Sequence, residues 1–311
     1  MATMKAVCIE SYGGPETLEI RDIPRPQPAK HEVLIQVHAA SVNPVDYKIR
    51  SGKYSAVTPK QFPKVLGRDV SGVVVECGAA VSGFKEGDEV YAMLNGGPGG
   101  YAEYVTVPAS LCAPKPTSLD YAEAAAVPLA AITAYQGLFD HGGLLAGQRV
   151  LIHGGGGGVG HFAIQLARAH GAAVSTTVPA EDKPFVLSLG ADQAIDYHER
   201  FEDEIPETNL VFDLVAGDAQ ERSWSVLKSG GTMVSTVMRP SERQARLHQA
   251  RAIGYVAQPN AEELATIGRL IDEGKVRPHL QAVFPLQQAA AAQEKLEHQH
   301  TRGKIVLEVM A

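Results

Sequence analysis

Cysteine is scarce in this chain of 311 residues: Cys8, Cys77 and Cys112 stand singly and far apart. Three scattered thiols build neither a disulfide framework nor a four-cysteine zinc site. Positive charge is also in deficit, with 28 Lys and Arg against 35 Asp and Glu, a net charge of −7. That balance argues against a nucleic-acid-binding surface. Long hydrophobic runs are missing as well. The longest apolar stretch, 124–135, contains Pro128 and is too short to span a bilayer. The N-terminus, MATMKAVCIE, has no apolar run of signal-peptide length. These absences lead to the expectation of a cytoplasmic globular protein that binds neither nucleic acid nor membrane. Glycine, by contrast, is abundant: 31 residues, against a usual share of about 7%. With 45% apolar and 20% charged residues, the chain can bury a sizeable core.

The first third reads as short strands and turns. Segments 5–10, 32–40, 70–76 and 89–93 are β-rich and separated by Gly13-Gly14-Pro15, 24–28 and Gly87-Asp88. No helix-period pattern of useful length precedes about Asp120, which predicts a mainly antiparallel, barrel-like domain. From about residue 148 strands and helices alternate. Strands are expected at Arg149–His153, 174–178, 209–215, 232–237 and 253–256, and helices at 159–170, 183–189, 219–227 and 261–273. In the first of these helices Val159, Phe162, Ala163, Leu166, Ala167 and His170 share one face. Such alternation implies a parallel sheet covered by helices on both sides. The tail returns to strand, helix and strand at 280–284, 286–298 and 304–309.

Gly154, Gly155, Gly156, Gly157 and Gly158 run consecutively, followed by Val159 and Gly160. Ordering five glycines costs roughly 2.5–5 kcal/mol relative to alanine. The register Gly155-x-Gly157-x-x-Gly160 supplies a reason to retain them. The first glycine allows a tight turn, the second lets backbone approach a pyrophosphate, and the third lets helix pack on strand. A flexible linker would be flanked by polar sequence, whereas this run lies between Val150-Leu151-Ile152 and an amphipathic helix. Dinucleotide binding at a helix N-terminus is therefore the reading adopted.

With these residues in view, the segment 150–172, VLIHGGGGGVGHFAIQLARAHGA, resembles the nucleotide loop of the medium-chain dehydrogenase/reductase superfamily. Other landmarks agree in order: NPVDYK at 43–48, LGRDVSG at 66–72, GDEV at 87–90, GYAEY at 100–104, SLGAD at 188–192 and RGK at 302–304. The likeness is greatest to the zinc-free quinone and enone oxidoreductase branch. It implies an α/β protein with a GroES-like catalytic domain, 1–122 and 279–311, and an inserted Rossmann domain, 123–278, with the active site in a cleft between them.

Zinc-bearing relatives place cysteine where this chain has Asn43, and Gly-His-Glu where it has Gly67-Arg68-Asp69. A catalytic zinc needs three protein ligands of Cys, His or carboxylate type. Only Asp69 meets that need in these two motifs, and Arg68 would repel a metal. The expectation is therefore no zinc, and a reaction suited to direct hydride transfer onto an activated C=C bond or a quinone. The resemblance places Asn43, Asp46, Lys48 and Tyr54 beside the nicotinamide, with Lys48 touching cofactor or substrate. Tyr54 or solvent supplies the proton; alternatively Asp46 and Lys48 form an ion pair and Tyr54 anchors its loop. Cofactor contacts are expected from Gly155 to Gly160, Val159 included, and from Thr133, Thr177, Lys183, Val215 and Lys304. The branch resemblance implies NADP(H), with NAD(H) open: the position that carries an acid in NAD-binding chains is Pro179 here, Glu181 and Asp182 follow and would repel a 2′-phosphate if they pointed inward, and Lys183 is the one nearby cation. The partner is a small quinone or enone, and family likeness suggests a homodimer. Other readings are a zinc-free dehydrogenase of another carbonyl, and an NADPH-binding sensor with little turnover.

Overall fold

The computed structural model describes residues 2–310. They divide into two compact units: the chain up to Leu129 together with Pro259–Asp272 and the chain from Pro278 on, and Ala130–Gln258 together with Glu273–Arg277. In the first unit a seven-stranded sheet runs in the order Leu280–Pro285, Lys304–Glu308, Glu32–Val42, Asp69–Cys77, Glu89–Met93 and Cys112–Pro114, with Tyr104–Pro108 also paired to Glu32–Val42. A smaller sheet joins Glu19–Pro24, Thr3–Ile9 and Lys64–Val65. All pairings are antiparallel except that of Leu280–Pro285 with Lys304–Glu308. The helix Ala261–Asp272 groups with this unit, where the Tyr91 hydroxyl donates to the Leu264 carbonyl at 2.7 Å.

The long strand Glu32–Val42 serves two cores. Val33, Ile35 and Val37 pack with Val70, Val74 and Val90, whereas Ala40 and Val42 pack with Val7, Ile9, Ile305 and Leu307. A register shift lies between Val37 and Ala39, where one core gives way to the other. The register also sets polar neighbours. Ala40 pairs with Val70, and Ile305 with Val42, so Asn43, Asp69 and Lys304 fall at one end of three adjacent strands.

Directly after that strand the chain forms the helix Pro44–Arg50, in the third of the sequence where no helical period was evident. Seven residues carry too little periodicity to register. The local signal lies instead in its start: Pro44 occupies the first turn, and the Asn43 N–H donates to the Asp46 carboxylate at 2.8 Å.

The second unit holds six parallel strands in the order Gln193–Asp196, Ala173–Val178, Arg149–His153, Thr208–Asp213, Leu227–Ser235 and Arg251–Gly254. Numbered along the chain this is 3-2-1-4-5-6, so strand order reverses between Arg149–His153 and Thr208–Asp213. Ligands of such sheets bind at the carboxyl ends of the strands flanking the reversal. The four-residue strand Gln193–Asp196 has no counterpart in the sequence reading. Leu151, Ile195, Val211, Trp224 and Met233 form the core beneath.

His153 ends the first of these strands and is fully buried. Its Nε2 lies 2.6 Å from Ser223 Oγ and its Nδ1 2.8 Å from Thr177 Oγ1. Ser223 donates its own proton to the Ala219 carbonyl at 2.6 Å, so it accepts from Nε2–H, and Thr177 donates to Nδ1. Burial holds this neutral imidazole's pKa down at about 4, against 6.5 in the open chain. Between those values the unfolded chain binds a proton that the folded chain refuses, so stability falls as pH drops from 6.5 to about 4. His153→Gln should therefore flatten the loss of Tm across that window; an unchanged slope in pH-dependent thermal unfolding would refute the assignment.

Candidate active site

The glycine run leaves Arg149–His153 at the strand reversal and enters the helix Gly160–Ala169. A side-chain carbon on Gly155 would lie 2.1 Å from Thr176 Oγ1, and one on Gly160 would lie 2.2 Å from the Gly154 carbonyl oxygen. Both positions exclude any side chain. On Gly157 the nearest atom would be 3.5 Å away, so the protein itself leaves room there. The close packing is thus internal at the first and third glycines, and the space at the middle one is open to a ligand. The backbone N–H groups of Gly156, Gly158 and Val159 have no protein acceptor among the described residues. Together with the helix N-terminus they form a cradle that fits a pyrophosphate.

Around the loop, Val215 is 49% exposed and its Cγ1 would lie 3.0 Å from a side-chain carbon on Gly154. The adjoining Ala216 has φ of 63°, a left-handed conformation unusual for alanine, held by the Asp213 carboxylate, which accepts from its N–H at 2.8 Å. Thr177 is buried, its hydroxyl bonded to His153 and its carbonyl accepting from Gly154 N–H at 3.0 Å. It therefore supports the loop from behind. Asp182, also buried, directs Oδ2 to within 2.8 Å of where a carbon on Gly156 would sit. Lys183 forms an ion pair with Glu199 at 3.3 Å on the surface. Thr133 is buried on the helix Pro128–Tyr135, and its carbonyl accepts from the Tyr255 hydroxyl.

In the first unit, the strand ends carry a polar knot sealed from water. Ser41, Asn43, Asp46, Asp69 and Lys304 are all buried. Lys304 Nζ donates to Asn43 Oδ1 at 2.5 Å and to the Val42 carbonyl at 3.3 Å. The other side of the Asn43 amide donates to Asp69 Oδ2 at 2.8 Å, and Ser41 Oγ donates to the same oxygen at 2.5 Å. Asp69 Oδ1 accepts from Leu129 N–H at 2.7 Å. Asp46 accepts from Asn43 N–H at 2.8 Å, from the Tyr101 hydroxyl at 2.9 Å and from Gly67 N–H at 3.3 Å. Burial raises the pKa of Asp46 to about 6 and that of Asp69 in the same direction, against the pull of Lys304. Burial lowers Lys304 in turn, against the pull of both carboxylates.

A pocket of about 220 Å³ opens beside this knot, lined wholly by residues of the first unit. Asp46 and Tyr54 face it; Asn43 lies behind Asp46. Lys48 is exposed on the helix Pro44–Arg50 and does not line the pocket. No ion pair joins it to Asp46 among the described residues; the Asp46 oxygens are taken by the donors already named. Sequence reading missed two pocket cations, Lys64 and Arg68 as ligand-facing groups. Arg68 was considered only as a repellent of metal, and nothing local marks either cation as facing a cavity.

Two family models match the chain, an alcohol dehydrogenase GroES-like domain over residues 29–117 and a zinc-binding dehydrogenase over residues 189–307. The chain is 39% identical to the NADPH-dependent alkenal/one oxidoreductase of Arabidopsis thaliana chloroplasts, covering 98% of this chain and 79% of that one. It is 33% identical to the quinone oxidoreductase of Rattus norvegicus, covering 98% and 97%. The solved quinone oxidoreductase of Coxiella burnetii superposes with a TM-score of 0.92 at 39% identity, covering 99% and 100%. The chain belongs to the medium-chain dehydrogenase/reductase superfamily, in its quinone oxidoreductase branch. It is an oxidoreductase with a GroES-like β domain and a Rossmann-type parallel sheet.

One of the two matching family models is that of a zinc-binding dehydrogenase. Among the described residues no group of three His, Cys, Asp or Glu side chains that could hold a metal ion is found. At the strand ends Asp69 is joined by an amide and by the Lys304 ammonium, a cation already built into the chain. Removing that charge as Lys304→Met leaves two buried carboxylates without a counter-ion and should cost about 3–5 kcal/mol in denaturant unfolding. A loss below 1 kcal/mol, smaller than the low end of about 3, would contradict the knot. For the loop, Gly160→Ala should destabilise by about 1–3 kcal/mol through backbone overlap. Gly157→Ala should leave stability nearly intact yet weaken NADPH binding by at least about tenfold, roughly 1.4 kcal/mol. Equal effects of the two on stability would show that the middle glycine is structural.

Proposed function

We propose that this protein uses NADPH to reduce quinones or α,β-unsaturated carbonyls, without zinc. The observation that carries the reading is the cradle at the strand reversal: two glycines closed by the protein's own atoms and one left open beside free N–H groups. The names of the relatives at 33% and 39% identity support the substrate class and the choice of NADPH. The exposed Lys183–Glu199 pair can exchange its carboxylate for a 2′-phosphate at little cost, since surface ion pairs contribute only about 0–1 kcal/mol. The ammonium-centred knot supports zinc independence.

A bound nicotinamide supplies a hydride. In an enone the β-carbon accepts it, the π pair of the C=C bond moves onto the carbonyl oxygen, and a proton at the α-carbon completes the saturated product. The acceptor thus stores the incoming charge on its own oxygen and needs mainly orientation and a hydrogen-bond donor there. Tyr54, which lines the 220 Å³ pocket, is the donor we assign. Asp46 stays bound to Tyr101, Asn43 and Gly67, which fixes the floor of the pocket. The pocket falls below the 300–1,000 Å³ or so of drug-sized sites, so the acceptor is small. The last parallel strand, Arg251–Gly254, is a sheet edge, and a second copy of the chain is the partner proposed for it.

Stopped-flow oxidation of protein-bound NADPH by a small panel of enones and quinones tests the reading. Single-turnover oxidation by at least one acceptor, with a lower dissociation constant for NADPH than for NADH, is the expected result. Tight NADPH binding without oxidation by any acceptor would favour a sensor instead. Tyr54→Phe should lower kcat by about 10²-fold or more if it donates the proton, and unchanged turnover would assign that step to solvent.

A further inference from the structure

The acceptor pocket carries two cations and almost no anion to match them. Arg68 and Lys64 both line it, and of the other lining residues only Asp46 is acidic. Asp46 is engaged by three donors of its own. Arg68 Nε is buried with no hydrogen-bond partner, and no acceptor or carboxylate among the described residues engages the rest of its guanidinium. Lys64 Nζ makes only long contacts, 3.4 Å to the Gly96 carbonyl and 3.3 Å to that of Gly97. Partial burial and the neighbouring Arg68 both push the Lys64 pKa down, the signature of two cations held together without a counter-ion. The loop above is shaped around them: a side-chain carbon on Gly96 would sit 2.9 Å from Arg68 Nη1.

A half-buried guanidinium without a partner is costly, because unmet buried donors lose their hydration. Planar carboxylates meet its forked donors two at a time. Building on the function proposed above, we infer that the acceptor carries a carboxylate, which Arg68 and Lys64 bind within the pocket. The enzyme's preferred substrates are then unsaturated carbonyl acids, with the anionic group fixing which end of the molecule is presented for reduction.

The test compares acetylacrylate, an enone bearing a carboxylate, with its neutral methyl ester. Dissociation constants for both are measured by calorimetry on the full chain, without relying on turnover. The acid should bind about 10- to 100-fold more tightly than the ester, the range for hydrogen bonds to a charged group. Arg68→Gln should shrink that ratio towards one, and Lys64→Gln should shrink it in part; Lys60→Gln, outside the pocket lining, should leave it unchanged. Thermal unfolding checks that each variant folds, and the Lys64 variant stands alone if the Arg68 variant does not. Equal binding of acid and ester, or an acid preference that survives in both folded variants, would overturn the inference. Quinone reduction with NADPH is followed separately, so loss of the anion preference and loss of the oxidoreductase reading are told apart.

Discussion

Burial of the Lys304 ammonium constrains the first unit more than any other single interaction. A cation taken out of water must meet acceptors and counter-charge at close range. Here it finds the Asn43 amide at 2.5 Å and, across that amide, the Asp69 carboxylate. The arrangement exists only if the last strand lies antiparallel against Glu32–Val42 in the observed register. One residue of slip would turn Lys304 to the opposite face and leave Asp69 and Asp46 facing each other without relief. The knot therefore selects the register, and the register in turn sets the walls of the pocket.

The glycine loop and the pocket show opposite uses of crowding. At Gly155 and Gly160 the protein packs so tightly that no side chain fits, which holds the turn rigid. At Gly157 the packing is withdrawn. The pocket shows the same economy in charge. Asp46 has both oxygens engaged by donors, whereas Arg68 Nε is left without an acceptor among the described residues.

Much of the second unit was legible because its signals are local. The strand Arg149–His153 and the helix after it follow from a short apolar run, a glycine turn and one apolar face. The glycine register is likewise contained in seven residues. The first unit resisted where non-local pairing decides. Lys304 was readable as part of a strand but not as buried, since its burial depends on a partner strand more than 260 positions earlier, such as Asn43 at a separation of 261. Lys48 looked equivalent to Asp46 in the sequence, yet two positions along a helix face in different directions, so one is buried and the other exposed. The side chains of Thr177 and Lys183 are committed to His153 and Glu199, which their positions in the sequence do not reveal. Arg68 and Lys64 carry no periodic or motif signal of facing a cavity.

The discontinuity of the first unit has a consequence for how the chain is made. Its sheet is finished by Lys304–Glu308, synthesised after the six strands of the second unit, which lie between 149 and 254 in the chain. During synthesis the second unit has all its strands available well before the first, whose early strands wait with an unpaired edge and with Asp69 lacking its cation. Vectorial synthesis therefore makes the strands around the glycine loop available before the strand that carries Lys304. The stretch of Glu32–Val42 that ultimately receives the final strand is the segment most exposed to mispairing in the interval.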